Sequence, residues 1–335
     1  MDKSSEYRRI FRDVVRGRTD VTIGDSKYYI KHLSSLDQVD IDDIRNQYYK
    51  EALSRGVPTE ADRLKDLQDQ GMWTEKDQLE ISRQNMFIEQ LQKNKTQLVL
   101  KSQIDKQNKS IQEARKKIQL LEIRKKELVG INAESYADKR SNDYYIIKSF
   151  YKDELLENRL FPEEEEFNEL YIDEVSEFVK SYNDTFLIFN ELKIQETILQ
   201  DFYYIYFPFS DDTVGFFGRP VVELTYNQLK LIVYTKIFKN IFENNKHIPE
   251  GIKKDPQALL DYGSISDEAK TKIKDKFGED KHASTLFNAT EEDFEYAGLQ
   301  KPSEKAGVSL QEAAKKKGGT LNMEDLMELS GIRKK

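Results

Sequence analysis

The stretch that decides the fold is residues 74–129, TEKDQLEISRQNMFIEQLQKNKTQLVLKSQIDKQNKSIQEARKKIQLLEIRKKELV, which contains neither glycine nor proline. Its apolar side chains recur at the seven-residue spacing of coiled-coil helices. The first series is Ile81, Ile88, Leu91 and Leu98, and the second is Ile104, Ile111, Ala114, Ile118, Leu121 and Leu128. This pattern predicts a coiled-coil arm over residues 74–130, with Thr74 and Asp77 forming the capping pattern at its start.

The two apolar series are out of step by one residue between Leu98 and Ile104. The break fits either a skip within one continuous helix or a tight reversal that makes an antiparallel hairpin. A continuous helix would be on the order of 80 Å long at about 1.5 Å per residue. In both cases the apolar stripe needs a partner helix, which is the return arm of the same chain or another copy. The sequence therefore predicts a homo-oligomer through the arm as one alternative.

The composition agrees with a chain of long helices. Only 7 prolines and 15 glycines interrupt the 335 residues, and 34% of the residues are charged against 38% hydrophobic, with a mean hydropathy of −0.75. Few helix-breaking residues favour long uninterrupted helices. We therefore expect a mostly α fold.

The N-terminal residues 1–73 are predicted to form a small helical module with one β-hairpin. Helices are expected over residues 4–16 and 35–55, the second capped by Asp37 or Asp40, and a third begins after Thr59. Between the first two, Gly24-Asp25-Ser26 forms a turn between two β-prone runs. The hairpin either packs on neighbouring helices or offers an edge to a partner's sheet. Trp73 is interpreted as a core residue at a corner between helices.

Residues 131–245 are predicted to form a globular helical domain. The first expected helix carries the apolar face Tyr144–Leu155. Three further helices are expected from Pro162 to about Tyr182, from Thr185 to about Tyr206, and from Thr225 to Asn244. Aromatic residues concentrate after Phe202, and an exposed part of such a cluster would be a docking surface. The candidates there are Phe207 and Phe209, with Phe216 and Phe217 in the following turn.

The last 90 residues, 246–335, are predicted to be a flexible tail with short helices. They are rich in charged and small residues and poor in large apolar ones, which is typical of chains that do not build a core. Near the end, Met323, Leu326 and Met327 form an amphipathic turn that would suit a tethered partner-binding helix. A tail without a partner is the alternative interpretation.

No pattern of catalytic residues is found. The chain has no cysteine, and its 3 histidines, His32, His247 and His282, are far apart in the sequence. Neither a nucleophile motif nor a phosphate-binding loop occurs. The run Glu163–Glu166 is interpreted as negative charge favouring a helix N-terminus rather than as a metal site. We therefore predict a non-enzymatic protein without catalytic residues, cofactor or metal.

The charge makes nucleic acid an unlikely partner class. The net charge is −8 and the pI about 5.3, whereas proteins that bind phosphate backbones usually carry a basic surface. Residues 115–126 are locally basic, which keeps a nucleic-acid-associated coiled coil as a third hypothesis. No apolar run approaches membrane-spanning length and the N-terminus lacks a signal-peptide core, so we expect a cytoplasmic protein without a membrane partner.

Several short stretches together resemble tail and baseplate assembly proteins of large tailed bacteriophages. They are the small N-terminal unit, the L-x-x-L of Leu64–Leu67 followed by Gly71-Met72-Trp73-Thr74-Glu75, the heptad helix, and the tail segment Ala283-Ser284-Thr285-Leu286 with Asn288–Asp293. The resemblance implies a tail-assembly chaperone or a baseplate-hub component that engages tape-measure, hub or tail proteins. It implies location in the host cytoplasm or in the virion, and it transfers no catalytic residues.

The leading hypothesis is therefore a protein-binding assembly chaperone that shields apolar partner surfaces. The first alternative is a permanent structural component of the virion. The residues predicted to contact partners are Ile104, Ile111, Ile118, Leu121, Leu128, Phe207, Phe209, Phe216, Phe217, Met323, Leu326 and Met327.

Overall fold

The computed structural model describes residues 3–245 and 248–265, together with Asp293 and Tyr296. Most of these residues are helical, and a small antiparallel sheet lies near the N-terminus, which confirms the predicted mostly α fold class with a β-hairpin. The first helices are α1 (Lys3–Arg16), α2 (Ser35–Ser54), α3 (Glu60–Asp69), α4 (Glu75–Lys95), α5 (Lys101–Val129) and α6 (Ala133–Ser149). The later ones are α7 (Glu164–Asn168), α8 (Ile172–Ile188), α9 (Glu191–Ile198), α10 (Thr213–Phe217), α11 (Tyr226–Asn244) and α12 (Pro256–Ser264).

The chain divides into two compact units. Unit 1 comprises residues 1–87, 114–246 and 250–263, and unit 2 comprises residues 88–113, 247–249 and 264–335. Each unit is described by itself below, within the residues that the structure describes.

The sheet of unit 1 has the strand order β1-β2-β3. The predicted hairpin is confirmed as β1 (Arg18–Ile23) and β2 (Ser26–Lys31), which pair antiparallel with Ile23 opposite Ser26. Gly24 has a φ of +57°, a left-handed conformation that tight hairpin turns require and that glycine adopts without strain. The short strand β3 (Phe150–Tyr151) was not predicted and pairs with the other side of β2.

The main core of unit 1 lies under this sheet. Phe150 of β3 is fully buried, and its ring lies 5.2 Å from that of Phe178 on α8 in an edge-to-face contact. Ile30 of β2 and Ile146 of α6 belong to the same cluster. The expectation that residues 144–155 form one helix face is wrong, because Phe150 leaves the helix to pair with β2.

Two other predicted helices are also divided. The helix expected from Pro162 to about Tyr182 is broken between α7 and α8, where the Tyr171 backbone N–H donates to the Glu174 carboxylate at 3.0 Å. The helix expected from Thr185 to about Tyr206 is replaced by the end of α8, by α9 and by a 3₁₀ helix, Asp201–Asp211. Asn190 starts α9 by accepting the Lys193 backbone N–H at 2.9 Å, so the chain begins a new helix where one was expected to continue.

Side-chain caps fix the starts of the remaining helices. Thr59 forms a capping box at α3, as its position before the helical pattern predicts, and Thr225 forms one at α11, where the sequence predicts it as the first residue of the helix. At α2 the cap is Ser34, whose hydroxyl accepts the Asp37 backbone N–H at 3.3 Å. Neither Asp37 nor Asp40 is therefore the cap that the sequence suggested.

The two apolar series of the arm lie on separate helices, α4 and α5, apart from Leu98, which lies in the connection between them. In unit 2, the Gln107 side-chain amide donates to the Leu91 carbonyl at 3.2 Å, and Lys95 Nζ donates to the Asn108 side chain at 3.0 Å. The end of α4 therefore lies beside the start of α5, with residues 96–100 between them. Of the two alternatives left open by the sequence, the structure has the reversal and not the continuous rod.

The start of α5 in unit 2 has a cap that comes from far along the chain. The Asp293 carboxylate accepts the Ser102 backbone N–H and the Ser102 hydroxyl, both at 2.8 Å. Asp293 is itself buried, as are Tyr296 and Ile104. A carboxylate at this position satisfies N–H groups that have no partner within the helix and opposes the positive end of the helix dipole.

Candidate partner-binding surfaces

The described histidine lies in the interior. The Nε2 of His32 lies 2.9 Å from the hydroxyl of Thr19, and its ring lies 4.6 Å from the ring of Phe189. Burial disfavours the charged imidazolium and lowers the pKa of His32 to about 3. His32 is therefore a neutral core residue at ordinary pH. His247 and His282 lie outside the described residues.

One member of the glutamate run joins three helices of unit 1. Glu164 accepts the hydroxyl proton of Tyr48 at 2.6 Å and a guanidinium N–H of Arg140 at 2.7 Å. Burial, followed by the bond to Glu164, raises the pKa of Tyr48 to about 12. Glu164 therefore joins α7 to α2 and α6, in addition to placing negative charge near a helix N-terminus as the sequence predicts. Within the described residues, no group of three or more acidic or histidine side chains is arranged to hold a metal ion.

The arm residues predicted to contact partners face the interior of their own units. Ile104 and Ile111 are buried in unit 2. Ile118, Leu121 and Leu128 are partly buried in unit 1, where they pack on a cluster formed by Leu67, Trp73, Ile81 and Val129. Trp73 is 1% exposed, which confirms its interpretation as a core residue. These apolar side chains therefore already have partners within the chain.

The basic stretch 115–126 is partly neutralised within unit 1. Arg124 lies 3.7 Å from Asp77, and Lys125 lies 2.8 Å from Glu60. Each pair removes one positive charge from the surface that the nucleic-acid hypothesis requires.

The aromatic candidates differ sharply in exposure. Phe207 is buried, with its ring 5.1 Å from that of Tyr204 and 6.0 Å from that of Phe242 on α11. Phe216 and Phe217 are half-buried, and their rings lie 4.8 Å apart. Phe209 is 64% exposed and points away from this cluster. Phe209 is thus the most exposed aromatic side chain of this segment.

Phe209 belongs to an apolar surface on the 3₁₀ helix, which we call the aromatic ridge. It comprises Ile205, Pro208 and Phe209, together with Val214 of the adjoining α10. Ile205 is 66% exposed. The 3₁₀ helix has 11 residues, whereas runs longer than three or four are uncommon because the hydrogen-bond geometry is poor. An irregular helix of this length must be held in place by its surroundings.

The inner side of the 3₁₀ helix provides that support. The hydroxyl of Tyr203 lies 2.8 Å from that of Thr235 on α11, and both residues are fully buried. The Ser210 hydroxyl donates to the Phe207 carbonyl at 2.8 Å. These buried contacts fix the backbone, so the aromatic ridge is presented on a rigid base.

The charges around the aromatic ridge are largely compensated. Lys254 lies 3.1 Å from Asp201 at the start of the 3₁₀ helix, and Lys239 is paired with Asp211 at its end. Asp212 accepts the Gly215 backbone N–H at 2.9 Å and so caps α10. The ridge is therefore an apolar surface with an almost neutral border.

No family model, curated protein or solved structure matches this chain. The resemblance to phage tail and baseplate assembly proteins accordingly stays a prediction. In the described part of the chain, every helix is too short or too polar to cross a lipid bilayer.

The remaining predicted contact residues, Met323, Leu326 and Met327, lie outside the described residues. Ile205 and Val214 were missed by the sequence analysis. The density of aromatic residues predicts a docking surface in this segment, but the 3.6-residue period of an α-helix does not give which side chains are exposed on a 3₁₀ helix.

Proposed function

We propose that this chain is a non-enzymatic protein-binding assembly factor. The observation that carries the proposal is the aromatic ridge, where Ile205 and Phe209 stand exposed on a backbone that is fixed by buried contacts. Large apolar side chains on a rigid base, within a nearly neutral border, are typical of the central residues of protein interfaces.

The resemblance narrows the proposal to a chaperone of phage tail or baseplate assembly. Such a protein covers apolar surfaces of tape-measure, hub or tail proteins until assembly, and the net charge of −8 would keep the complex soluble. The ridge supplies the apolar contact that this activity requires.

The test is affinity purification of the tagged full chain from its native host, followed by mass spectrometry. The ridge variant is Ile205→Ser/Phe209→Ser, and the control is Leu155→Ser, which changes an exposed apolar residue in the loop after β3. We expect the wild type and the control to retain the same co-purifying chains, whereas the ridge variant loses at least one. Thermal unfolding of all three proteins checks that each is folded.

An identical set of partners for the ridge variant and the wild type would contradict the role of the ridge. Mass spectrometry of purified particles distinguishes a chaperone from a permanent structural component, because a chaperone is absent from the finished assembly. Finding this chain in stoichiometric amount in the particle would replace the chaperone by a structural component.

A permanent structural component is the second candidate, and exposed residues of the arm favour it. Leu79 and Met86 are exposed on α4 at a seven-residue spacing, and Leu120 and Ile123 are exposed on α5. A second apolar stripe on a helix that already has one partner is suited to a further helix from another copy. Sedimentation velocity would detect the oligomer, and Leu79→Ser/Met86→Ser would abolish it.

A further inference from the structure

A second apolar surface of unit 1 lies where α2 and α11 begin. We call it the α2 patch, and it consists of Leu36, Val39, Val221, Val222 and Tyr226. Val39 is 58% exposed and Val222 is 61% exposed. The five side chains come from α2, from the 3₁₀ turn Val221–Glu223 and from the first residue of α11.

Backbone contacts bring the two halves of the α2 patch together. The Tyr226 N–H donates to the Leu33 carbonyl at 3.2 Å, and Ser34 and Thr225 form an antiparallel bridge. Leu36 and Val39 are three residues apart on α2 and therefore lie on the same face. The exposed aliphatic side chains thus form one continuous surface.

The base of the α2 patch is rigid. Ser34 and Thr225 are buried, and each begins its helix with a capping box. The Gln228 side-chain amide donates to the Val15 carbonyl at 2.9 Å, and Leu224 is fully buried between the exposed residues. A surface held in this way loses little conformational entropy when a partner binds.

The charges next to the patch select the partner. Asp43 follows Leu36 by seven residues and so continues the same face of α2, and Glu223 adjoins Val222. Neither carboxylate forms an ion pair with another of the described residues, whereas Asp40 is paired with Lys148 at 2.9 Å. The acidic side chains Asp43 and Glu223 are therefore available to a basic partner.

A second copy of the chain fits this surface poorly. A two-fold interface places the same patch on both sides, so Asp43 and Glu223 of one copy would approach those of the other. Like charges brought together at an interface are unfavourable, and the net charge of −8 adds to the repulsion.

We propose that the α2 patch binds an amphipathic helix of a partner protein whose apolar stripe is flanked by lysine or arginine. The aliphatic side chains receive the stripe, and Asp43 and Glu223 receive the basic side chains. This inference rests on the proposed function, for which it specifies a partner class.

The probe is a fluorescein-labelled 18-residue helical peptide with leucines on one face and lysines beside them. Two matched peptides replace the lysines by glutamates or the leucines by serines. Fluorescence anisotropy with the full chain is expected to give binding of the Leu/Lys peptide and at least tenfold weaker binding of the other two. Raising the salt concentration should weaken the binding of the Leu/Lys peptide.

The decisive variants separate site-specific binding from attraction to any acidic protein. The Val39→Ser/Val222→Ser variant should bind the Leu/Lys peptide about tenfold more weakly than the wild type. The Asp43→Lys/Glu223→Lys variant should bind the Leu/Glu peptide in preference to the Leu/Lys peptide. The matched control Asp173→Lys/Glu177→Lys makes the same change in net charge at exposed positions of α8 and should leave the preference unchanged. Circular dichroism confirms that each variant is folded.

Equal binding of the Leu/Lys and Leu/Glu peptides, or equal effects of the two charge-swap variants, would overturn the inference. A dimer of the wild type that the Val39→Ser/Val222→Ser variant loses in sedimentation velocity would overturn it in favour of a second copy. Either result leaves the proposed function standing if the Ile205→Ser/Phe209→Ser variant still loses host partners. The proposed function is contradicted by a different result, namely that the ridge variant keeps the same host partners as the wild type.

Discussion

The helical arm and the segment 185–217 differ in how they use their apolar residues. In the arm, the two predicted apolar series turn inward, as Ile81 of unit 1 and Ile104 of unit 2 do, whereas Leu79 and Met86 repeat the seven-residue spacing on an exposed face. In the segment 185–217, apolar side chains follow one another without a regular period, and the chain breaks into shorter helices that leave Phe209 exposed. A regular spacing therefore places apolar side chains on one face of a helix, and the contacts of that face decide whether they are buried.

The largest effect is expected from Trp73→Ala in unit 1. The indole is almost fully buried against Leu67, Ile81 and Val129, so its removal leaves a large cavity. We expect a loss of about 3–5 kcal/mol in the free energy of unfolding, measured by urea denaturation. Leu120→Ala, at an exposed position of α5, should change that free energy by less than about 0.5 kcal/mol. Similar losses for the two variants would contradict the inward orientation of the arm.

The pair Phe207→Ala and Phe209→Ala tests the irregular segment in the same way. Phe207 is buried beside Phe242, and its truncation should cost about 3 kcal/mol or more. Phe209 is exposed, and its truncation should cost less than about 0.5 kcal/mol. Thermal unfolding of both variants checks the difference. A large loss of stability for Phe209→Ala would show that this side chain is buried, which would contradict the exposed aromatic ridge.

The pH dependence of stability provides a smaller test, at the start of the irregular segment, where His32 contacts Phe189. The imidazole has its ordinary pKa of 6.5 in the unfolded chain and a pKa of about 3 in the folded one. Below pH 6.5 the unfolded chain therefore binds a proton that the folded chain does not bind, and stability falls as the pH falls towards 3. Between pH 7 and pH 5 this group should lower the free energy of unfolding by about 2 kcal/mol.

Urea denaturation of the wild type and of His32→Gln at both pH values measures this contribution. The difference between pH 7 and pH 5 should be smaller in the variant, whatever its absolute stability. An equal difference in the two proteins would show that His32 is protonated in the folded state.

The smallest effect is expected at the break between α8 and α9. Asn190→Ala removes the side chain that accepts the Lys193 N–H at the start of α9. We expect a loss of about 1 kcal/mol, because an N-cap residue is replaced by one that cannot accept this bond. Asn240→Ala, at an exposed position within α11, is the control and should have almost no effect. A stabilised Asn190→Ala variant would indicate that the continuous helix predicted from the sequence is accessible.

What the sequence predicts well in this chain depends on local interactions. Capping by Thr59 follows from side chains within three residues of each other, and the hairpin follows from the glycine in its turn. The same rule identifies Ser34 and Thr225, because Asp37 and Gln228 stand three residues after them, although the sequence analysis predicts neither cap. Such interactions need no knowledge of the rest of the fold.

What the sequence does not predict depends on contacts between distant segments. Strand β3 exists because β2 offers a free edge to Phe150 and Tyr151, which a local pattern does not reveal. The exposure of Ile205 depends on which side of the 3₁₀ helix Tyr203 fixes against α11. For the candidate surfaces, the sequence therefore predicts Phe209 but not the exposure of its neighbours, and it does not predict the α2 patch, whose halves are far apart in the chain.

The cap that Asp293 provides to Ser102 affects when the start of α5 can complete its hydrogen bonds during synthesis of the chain. The two residues are 191 positions apart, so the start of α5 lacks this partner until Asp293 has left the ribosome. Domains generally fold from the N-terminus during synthesis, and contacts across such separations form late. The start of α5 thus acquires this cap only after Asp293 has been synthesised, and a chain that stops before Asp293 never forms it.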